Sequence, residues 1–224
     1  MTLSYFKRTI LATKISLITI EVFNYNIIKN WTFDNLILFL KRIFKLAEEM
    51  KLEPEDVQWL FYFPKIFIST TYISKYIEFH ICDSRCIWYN NFYQNPKTII
   101  LYFHGGGYCT CSPEAYYGLI DRIDKSINKD NVNYLFIDYP KAPEFKYPIA
   151  INVCFKIYLQ ISSMFPKTNF IFMGDSAGAN LLIQVTNKII INNIRKPIAL
   201  ICFSPWVISR IKEKYWKENF NKDF

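Results

Sequence analysis

Ser176 is the residue of this chain best suited to nucleophilic chemistry, because it lies in the segment Gly174-Asp175-Ser176-Ala177-Gly178 directly after the apolar run 169–173. The apolar run predicts a buried strand, and small residues directly after a strand favour a sharp turn into a helix. A serine on such a turn has a strained backbone, and the crowded chain around it requires glycine or alanine at the flanking positions. An ordinary small-residue turn gives the same pattern, so its chemical meaning depends on a second motif.

The second motif is His104-Gly105-Gly106-Gly107, which follows the strand-like run 98–103. Attack on an ester carbonyl builds negative charge on its oxygen, and each preorganised backbone N–H group stabilises that charge by roughly 3 kcal/mol. We expect the donors to be the amides of Gly105, Gly106 and Ala177. The alternative is a loop that cradles phosphate, but the chain has neither a following Gly-Lys-Ser/Thr nor a G-x-G-x-x-G pattern. The two motifs together therefore favour acyl chemistry.

Over roughly residues 70–224 the chain resembles the hormone-sensitive-lipase-type branch of the α/β-hydrolases. Four ordered motifs carry the resemblance: the glycine loop 104–107, the segment Tyr139-Pro140-Lys141-Ala142-Pro143-Glu144 with Pro148, the serine segment 174–178, and Ser204-Pro205-Trp206. The resemblance implies a serine carboxylesterase without metal or organic cofactor, which works through an acyl-enzyme. Its substrates would be small, apolar esters with short or medium acyl chains or bulky alcohols. Some fungal relatives deacetylate sterol esters.

The chain departs from this resemblance in its histidines. In this fold the catalytic acid and the histidine follow the serine along the chain, but the only histidines, His80 and His104, both precede Ser176. The resemblance implies a structural role for His104, whose ring would hold the glycine loop in place. His80 lies in a strand-like run that would deliver it to the wrong end of the sheet. Without a base a serine hydroxyl is a poor nucleophile.

The catalytic acid is also missing from its expected place. The acids after Ser176 are Glu213, Glu218 and Asp223, whereas the resemblance places the acid on a loop after a further strand. Two interpretations stay open: a fragment of a longer chain, which the intact motifs favour, or a degenerate member without catalysis. A degenerate member could still bind a ligand, as hormone receptors of this fold do, or serve only as a structural remnant.

The pattern of elements predicts an α/β-hydrolase fold with a mainly parallel, doubly wound sheet that lacks the C-terminal strands. We expect a helical N-terminal cap over residues 1–70, including a helix at 31–50, and the hydrolase core at 71–224. An antiparallel hairpin, 73–81 and 86–92, opens the core. The strands and helices expected after it are the strand 98–103, helix 114–127, strand 132–138, helix 148–165, strand 169–173, helix 178–192 and strand 198–203.

Charge and cysteine content indicate no further class of partner. The net charge of +8 is spread without a basic run of five or more, so we expect no nucleic-acid partner. The six cysteines do not form paired zinc-binding motifs, although His80, Cys82 and Cys86 or Cys109 and Cys111 could be read as ligands. We expect no metal, with Cys109 and Cys111 near the reactive cleft instead.

The apolar N-terminal segment 10–28 raises the question of a membrane. It is interrupted by Lys14 and Glu21, and its spacing is that of an amphipathic helix rather than a membrane-spanning one. We expect a cytoplasmic protein, with association with the endoplasmic reticulum membrane as the alternative. Peripheral attachment to a lipid surface is left open.

Overall fold

The computed structural model describes residues 76–89, 93–126 and 131–207, together with Ile10, Thr13, Lys14 and a few positions between residues 42 and 52. The chain divides into two compact units, residues 58–207 and residues 1–57 with 208–224. Most of the predicted 31–50 helix lies outside the described residues, but Ile43 and Leu46 are helical and buried. The predicted boundary near residue 70 and most of the segment 10–28 also lie outside.

The described core is a sheet of six strands with helices on both faces. The strands are β1 (Tyr76–Ile81), β2 (Ser84–Tyr89), β3 (Thr98–Phe103), β4 (Val132–Asp138), β5 (Asn169–Asp175) and β6 (Ala199–Phe203). The helices are a 3₁₀ turn (Pro113–Tyr116), α1 (Tyr117–Ser126), α2 (Ile149–Met164) and α3 (Ser176–Ile191). The strands and helices predicted between residues 98 and 203 are confirmed, with ends shifted by a few residues. The described parts of the predicted hairpin also pair as strands.

The order of the strands is β1-β2-β4-β3-β5-β6. The first two strands form an antiparallel hairpin, and β2 is antiparallel to β4, whereas β4, β3, β5 and β6 are mutually parallel. Only Cys82 and Asp83 form the hairpin turn, both with positive φ, where the sequence predicted a four-residue turn. A two-residue turn of this conformation matches the twist of paired strands.

Alternation along β3 builds two cores. Ile99, Leu101 and Phe103 belong to the apolar cluster that includes α2 and α3, whereas Ile100 and Tyr102 belong to the cluster that includes α1. Successive strand residues point to opposite faces, so a strand buried on both faces is apolar throughout. This places the carboxyl ends of β3, β4 and β5 at one edge of the sheet, where the predicted motifs begin.

At the other side of the sheet β6 is an edge strand of the described core. Its residues Leu200 and Phe203 are 42% and 43% exposed, in contrast to the buried residues of β3. Two-sided exposure of an apolar strand is unusual in a monomeric protein. β6 is therefore the least covered strand of the described sheet, since none of its residues is fully buried.

Candidate active site

The serine lies on a strained turn between strand and helix. β5 ends at Asp175 and α3 begins at Ser176, whose φ is +50°. A residue other than glycine in this left-handed region costs about 1–2 kcal/mol. The structure thus gives Ser176 the strained backbone of a nucleophile turn.

Close contact between α3 and the end of β3 brings this turn to the glycine loop. A Cβ atom on Gly178 would lie 2.0 Å from the carbonyl oxygen of Phe103 and 2.4 Å from that of His104. Gly174 is similarly restricted, with a Cβ atom 2.5 Å from the same Phe103 oxygen. Small residues at these positions are required because backbone, which cannot move aside, occupies the space.

We predict that the backbone strain at Ser176 lowers the free energy of unfolding by a measurable amount. Ser176→Gly should raise the free energy of unfolding by about 0.5–1 kcal/mol, since relief of the strain is offset in part by the greater freedom of glycine in the unfolded chain. Ser176→Ala, the matched control, keeps a Cβ atom and should gain nothing. Urea unfolding of the three proteins measures the difference, and equal stability of the two variants would contradict the prediction.

The glycine loop folds back on itself through a carbonyl group. The oxygen of Gly106 accepts hydrogen bonds from the Thr110 amide at 2.8 Å, from the Thr110 hydroxyl at 2.9 Å and from the Cys109 amide at 3.0 Å. Gly106 has a φ of +111°, and a Cβ atom there would lie 2.4 Å from the Thr110 oxygen. The tight turn therefore requires glycine at this position.

The hydrogen bonds of Gly105 argue against the role expected for it. Its N–H group is buried and donates to Asp175 Oδ1 at 2.9 Å and to the Tyr116 hydroxyl at 3.0 Å. An amide already bound to a carboxylate is not free to bind a substrate oxygen. Gly106 is half-buried and Gly107 exposed, and neither N–H group has a hydrogen-bond partner within the described part of the chain.

Ala177 lies where the sequence predicted it, in the first turn of α3 next to Ser176. The first N–H groups of a helix have no carbonyl partner within the helix. The amides of the loop and of the helix start that have no partner among the described residues are thus those of Gly106, Gly107 and Ala177.

The ring of His104 is completely buried beneath the loop. Its Nδ1 atom lies 2.7 Å from the oxygen of Gly105, and the ring stacks on Tyr139 with centroids 4.3 Å apart. The carbonyl of His104 accepts a hydrogen bond from the Tyr139 hydroxyl at 2.6 Å. These contacts place the ring within the scaffold of the glycine loop, and its second nitrogen, Nε2, lies 3.8 Å from Asp138.

An ion cluster supports the outer side of the loop. Arg85 contacts Glu78 at 2.8 Å, Asp138 at 3.1 Å and Glu114, and Lys141 also contacts Asp138. Burial by itself would raise the pKa of Asp138, but the interactions with His104 and Lys141 outweigh burial and lower that pKa. For Glu114 the effect of burial is likewise outweighed, by its hydrogen bond with Arg85, and its pKa is lowered. Both carboxylates are therefore held in the charged form.

Neither histidine of the sequence is placed to take a proton from Ser176. His80 is exposed on β1, and the four strand spacings from β1 to β5 amount to about 19 Å. The nitrogens of His104 face Gly105 and Asp138 instead. The acidic residues that follow Ser176 in the chain, Glu213, Glu218 and Asp223, lie outside the described residues.

Sequence reasoning missed the groups that surround Asp175. Tyr102 and Tyr116 both donate to its carboxylate, at 3.2 and 3.1 Å. The two tyrosines are separated from Asp175 by 73 and 59 residues, so no local pattern signals the contact.

The described ranges contain no candidate metal cluster and no candidate membrane span. No group of three or more histidine, cysteine or acidic residues there could hold a metal ion. Nor does any described helix combine the length and the apolar character needed to cross a bilayer. Burial raises the pKa of the Cys109 and Cys111 thiols near the loop, which keeps both protonated.

Comparison with known proteins places this geometry among hydrolases. Residues 100–224 match a family model described as the α/β-hydrolase fold. An esterase of Acinetobacter venetianus is 31% identical over 111 residues, which cover 49% of this chain and 35% of that protein. The chain spans about a third of the length of the curated relatives it matches.

Solved structures are similar in fold. Carboxyl esterase 2 of Tuber melanosporum has a TM-score of 0.57 at 24% identity, covering 68% of this chain and 52% of that one. An esterase of the bacterial hormone-sensitive lipase family has a TM-score of 0.62 at 21% identity, covering 75% and 56%. At these identities the likeness concerns the fold alone. The chain covers about half of each of the two solved structures.

Proposed function

The chain belongs to the α/β-hydrolase family that its residues 100–224 match, and from this premise we propose that it is a carboxylic-ester hydrolase with Ser176 as nucleophile. The observation that carries the proposal is the left-handed backbone of Ser176 at the start of α3, packed against a loop with open amides. A strained serine at such a junction is typical of acyl-transfer enzymes of this fold.

The proposed reaction has two steps. Ser176 Oγ attacks the carbonyl carbon of the ester and loses its proton, and the alcohol leaves with a proton as the acyl group stays on the serine. Water then attacks the acyl-enzyme, which releases the carboxylic acid and restores the hydroxyl. In each step the negative carbonyl oxygen would bind the amides of Gly106, Gly107 and Ala177, each worth roughly 3 kcal/mol.

The described residues do not supply the general base that this reaction needs. Serine needs a general base to react at neutral pH, but His104 faces Gly105 and Asp138, and His80 lies on β1, four strand spacings from β5. We therefore expect the 224-residue chain by itself to hydrolyse p-nitrophenyl esters no faster than the Ser176→Ala variant.

We predict that an external base restores the reactivity of the serine. A fluorophosphonate probe should label Ser176 at least about tenfold faster when imidazole is added, because general bases contribute about 10²–10⁴-fold. Mass spectrometry of the labelled peptide identifies the site, and Ser176→Ala is the control. Equal labelling of the variant, or no labelling of Ser176 at any imidazole concentration, would contradict the proposal.

A second candidate is a hydrolase-fold protein that binds a ligand without turnover. The placement of both histidines away from Ser176 favours it. Such a protein would bind an ester or a carboxylate saturably, and imidazole would not raise the labelling of its serine. The same experiment therefore separates the two functions.

The substrate proposed here is a small, apolar ester. The matched Acinetobacter protein is named an esterase, and other matched proteins are named acetyl-hydrolase and versiconal hemiacetal acetate esterase, which supports short acyl chains. A cytoplasmic location, with peripheral association with the endoplasmic reticulum membrane as the alternative, stays a prediction.

A further inference from the structure

One carboxylate joins the serine turn to the glycine loop. Asp175 Oδ1 accepts from the Gly105 amide at 2.9 Å and from the Tyr102 hydroxyl at 3.2 Å, and Oδ2 accepts from the Tyr116 hydroxyl at 3.1 Å. The Tyr116 oxygen also accepts from the Gly105 amide at 3.0 Å. We call these four residues the Asp175 clamp.

The donors of the clamp are held in their protonated form. Burial, followed by the charge of Asp175, raises the pKa of Tyr102 and of Tyr116 far above the ordinary value of tyrosine. Both hydroxyls therefore remain protonated, and able to donate, at neutral pH. Hydrogen bonds to an ionised carboxylate are about twice as strong as those between neutral groups.

The clamp also fixes how closely the loop approaches. A Cβ atom on Gly105 would lie 2.2 Å from Asp175 Oδ2 and 3.1 Å from the Tyr116 oxygen. The backbone of Gly105 thus lies directly against the carboxylate and the phenol. Since Gly105 precedes Gly106 along the chain, fixing its amide plane limits the directions in which the next amides can point.

These contacts fit a role of Asp175 as general base for Ser176 less well than a role in holding the glycine loop. Both carboxylate oxygens accept hydrogen bonds from groups of the scaffold, on the side of the glycine loop and of Tyr116. A general base must have an oxygen within hydrogen-bond reach of the proton it takes. Asp175 is therefore better suited to hold the loop than to take the Ser176 proton.

We propose that Asp175, through Gly105 and Tyr116, is a positioning residue that holds the amides of Gly106 and Gly107 towards Ser176. The inference rests on the proposed function for what those amides bind. The clamp itself does not, because it can be measured without a substrate.

Glycine labelling makes this measurement simple. The chain has six glycines, so selective [¹⁵N]glycine labelling gives six amide signals, three of them from the loop. In Asp175→Ala the Gly105 amide should exchange with deuterium at least about tenfold faster than in the wild type, because its acceptor is lost. Asp175→Asn keeps an oxygen acceptor and should restore most of the protection.

Two tyrosine variants complete the design. Tyr116→Phe removes the hydroxyl shared by Gly105 and Asp175 and should also speed Gly105 exchange, which keeps the test valid if Asp175→Ala fails to fold. Tyr158→Phe is the matched control: its hydroxyl is likewise bonded, to the carbonyl of Arg195, but far from the loop. It should leave the Gly105 signal unchanged.

Fluorophosphonate labelling in imidazole then tests the positioning role. Asp175→Ala should lower the labelling rate of Ser176 at least about tenfold. Asp175→Asn should recover part of this rate, and Tyr158→Phe should label as fast as the wild type. Unchanged Gly105 exchange in folded Asp175→Ala and Tyr116→Phe would overturn the clamp. Faster exchange with unchanged labelling would overturn the positioning role. Absence of labelling in the wild type would instead count against the proposed function, and the exchange data would still decide the clamp.

Discussion

Gly178→Ala should destabilise the protein by about 3 kcal/mol or more, at the upper end of what overpacking costs. The added Cβ atom would lie 2.0 Å from the carbonyl oxygen of Phe103, and real contacts are never this short. The colliding atoms are backbone of β3 and of the glycine loop, so relief requires α3 to move away from the sheet. Such a movement also separates Ser176 from Gly106 and Gly107.

Gly107→Ala is the matched control for this substitution. Gly107 has a φ of +61°, but no atom lies within 4 Å of the position of an added Cβ atom. Only the left-handed backbone is then penalised, at about 1 kcal/mol. Urea unfolding of both variants measures the difference, and a Gly178→Ala protein as stable as Gly107→Ala would show that the close packing of α3 on β3 is wrong.

Arg85→Met should have the second large effect, about 3 kcal/mol at pH 7. The arginine side chain is 20% exposed and lies between Glu114 and Asp138, which are 11% and 16% exposed. Methionine fills a similar volume, but it leaves the two buried carboxylates without the positive charge of Arg85, which offset part of their negative charge. Removing one partner of such a cluster is costly because the remaining charges have lost their water.

The destabilisation caused by Arg85→Met should depend on pH. The pKa values of Glu114 and Asp138 are lowered in the folded protein, so their contribution to stability is present above the unfolded values of about 3.9–4.3 and is lost as the pH falls further. Arg85→Met removes the largest cause of this lowering for Glu114. The gap in unfolding free energy between the variant and the wild type should therefore be widest near pH 7 and narrow below about pH 4.

Arg122→Met serves as the control for lost positive charge. Arg122 is exposed on α1, and surface substitutions usually change stability by no more than about 0.5 kcal/mol. A gap that stays constant from neutral to acidic pH, or an effect of Arg85→Met no larger than that of Arg122→Met, would contradict the buried ion cluster. The cluster matters for the site because Glu114 lies in the same 3₁₀ turn as Tyr116.

Much of the fold follows from local pattern. Strands such as β3 and β4 are continuous apolar runs, and the glycines and prolines that end them are visible in the chain, so the alternation of strands and helices is predictable. The prediction of strand β4 matched residue by residue, whereas helix α3 begins two residues earlier than expected. The start of α3 is set by the turn at Ser176, and the spacing of apolar residues along the chain does not reveal where such a turn ends.

The sequence by itself identified Ser176 as the proposed nucleophile, the glycine loop and the absence of a histidine after Ser176, because each of these is a property of residue type and spacing. Only the tertiary structure decided which amides remain open. The carboxylate of Asp175 reaches the Gly105 amide from 70 residues away, and Tyr116 joins it from a turn on the other side of the loop. Long-range hydrogen bonds of this kind depend on how β3, β5 and the 3₁₀ turn pack, and spacing along the chain carries no record of that packing.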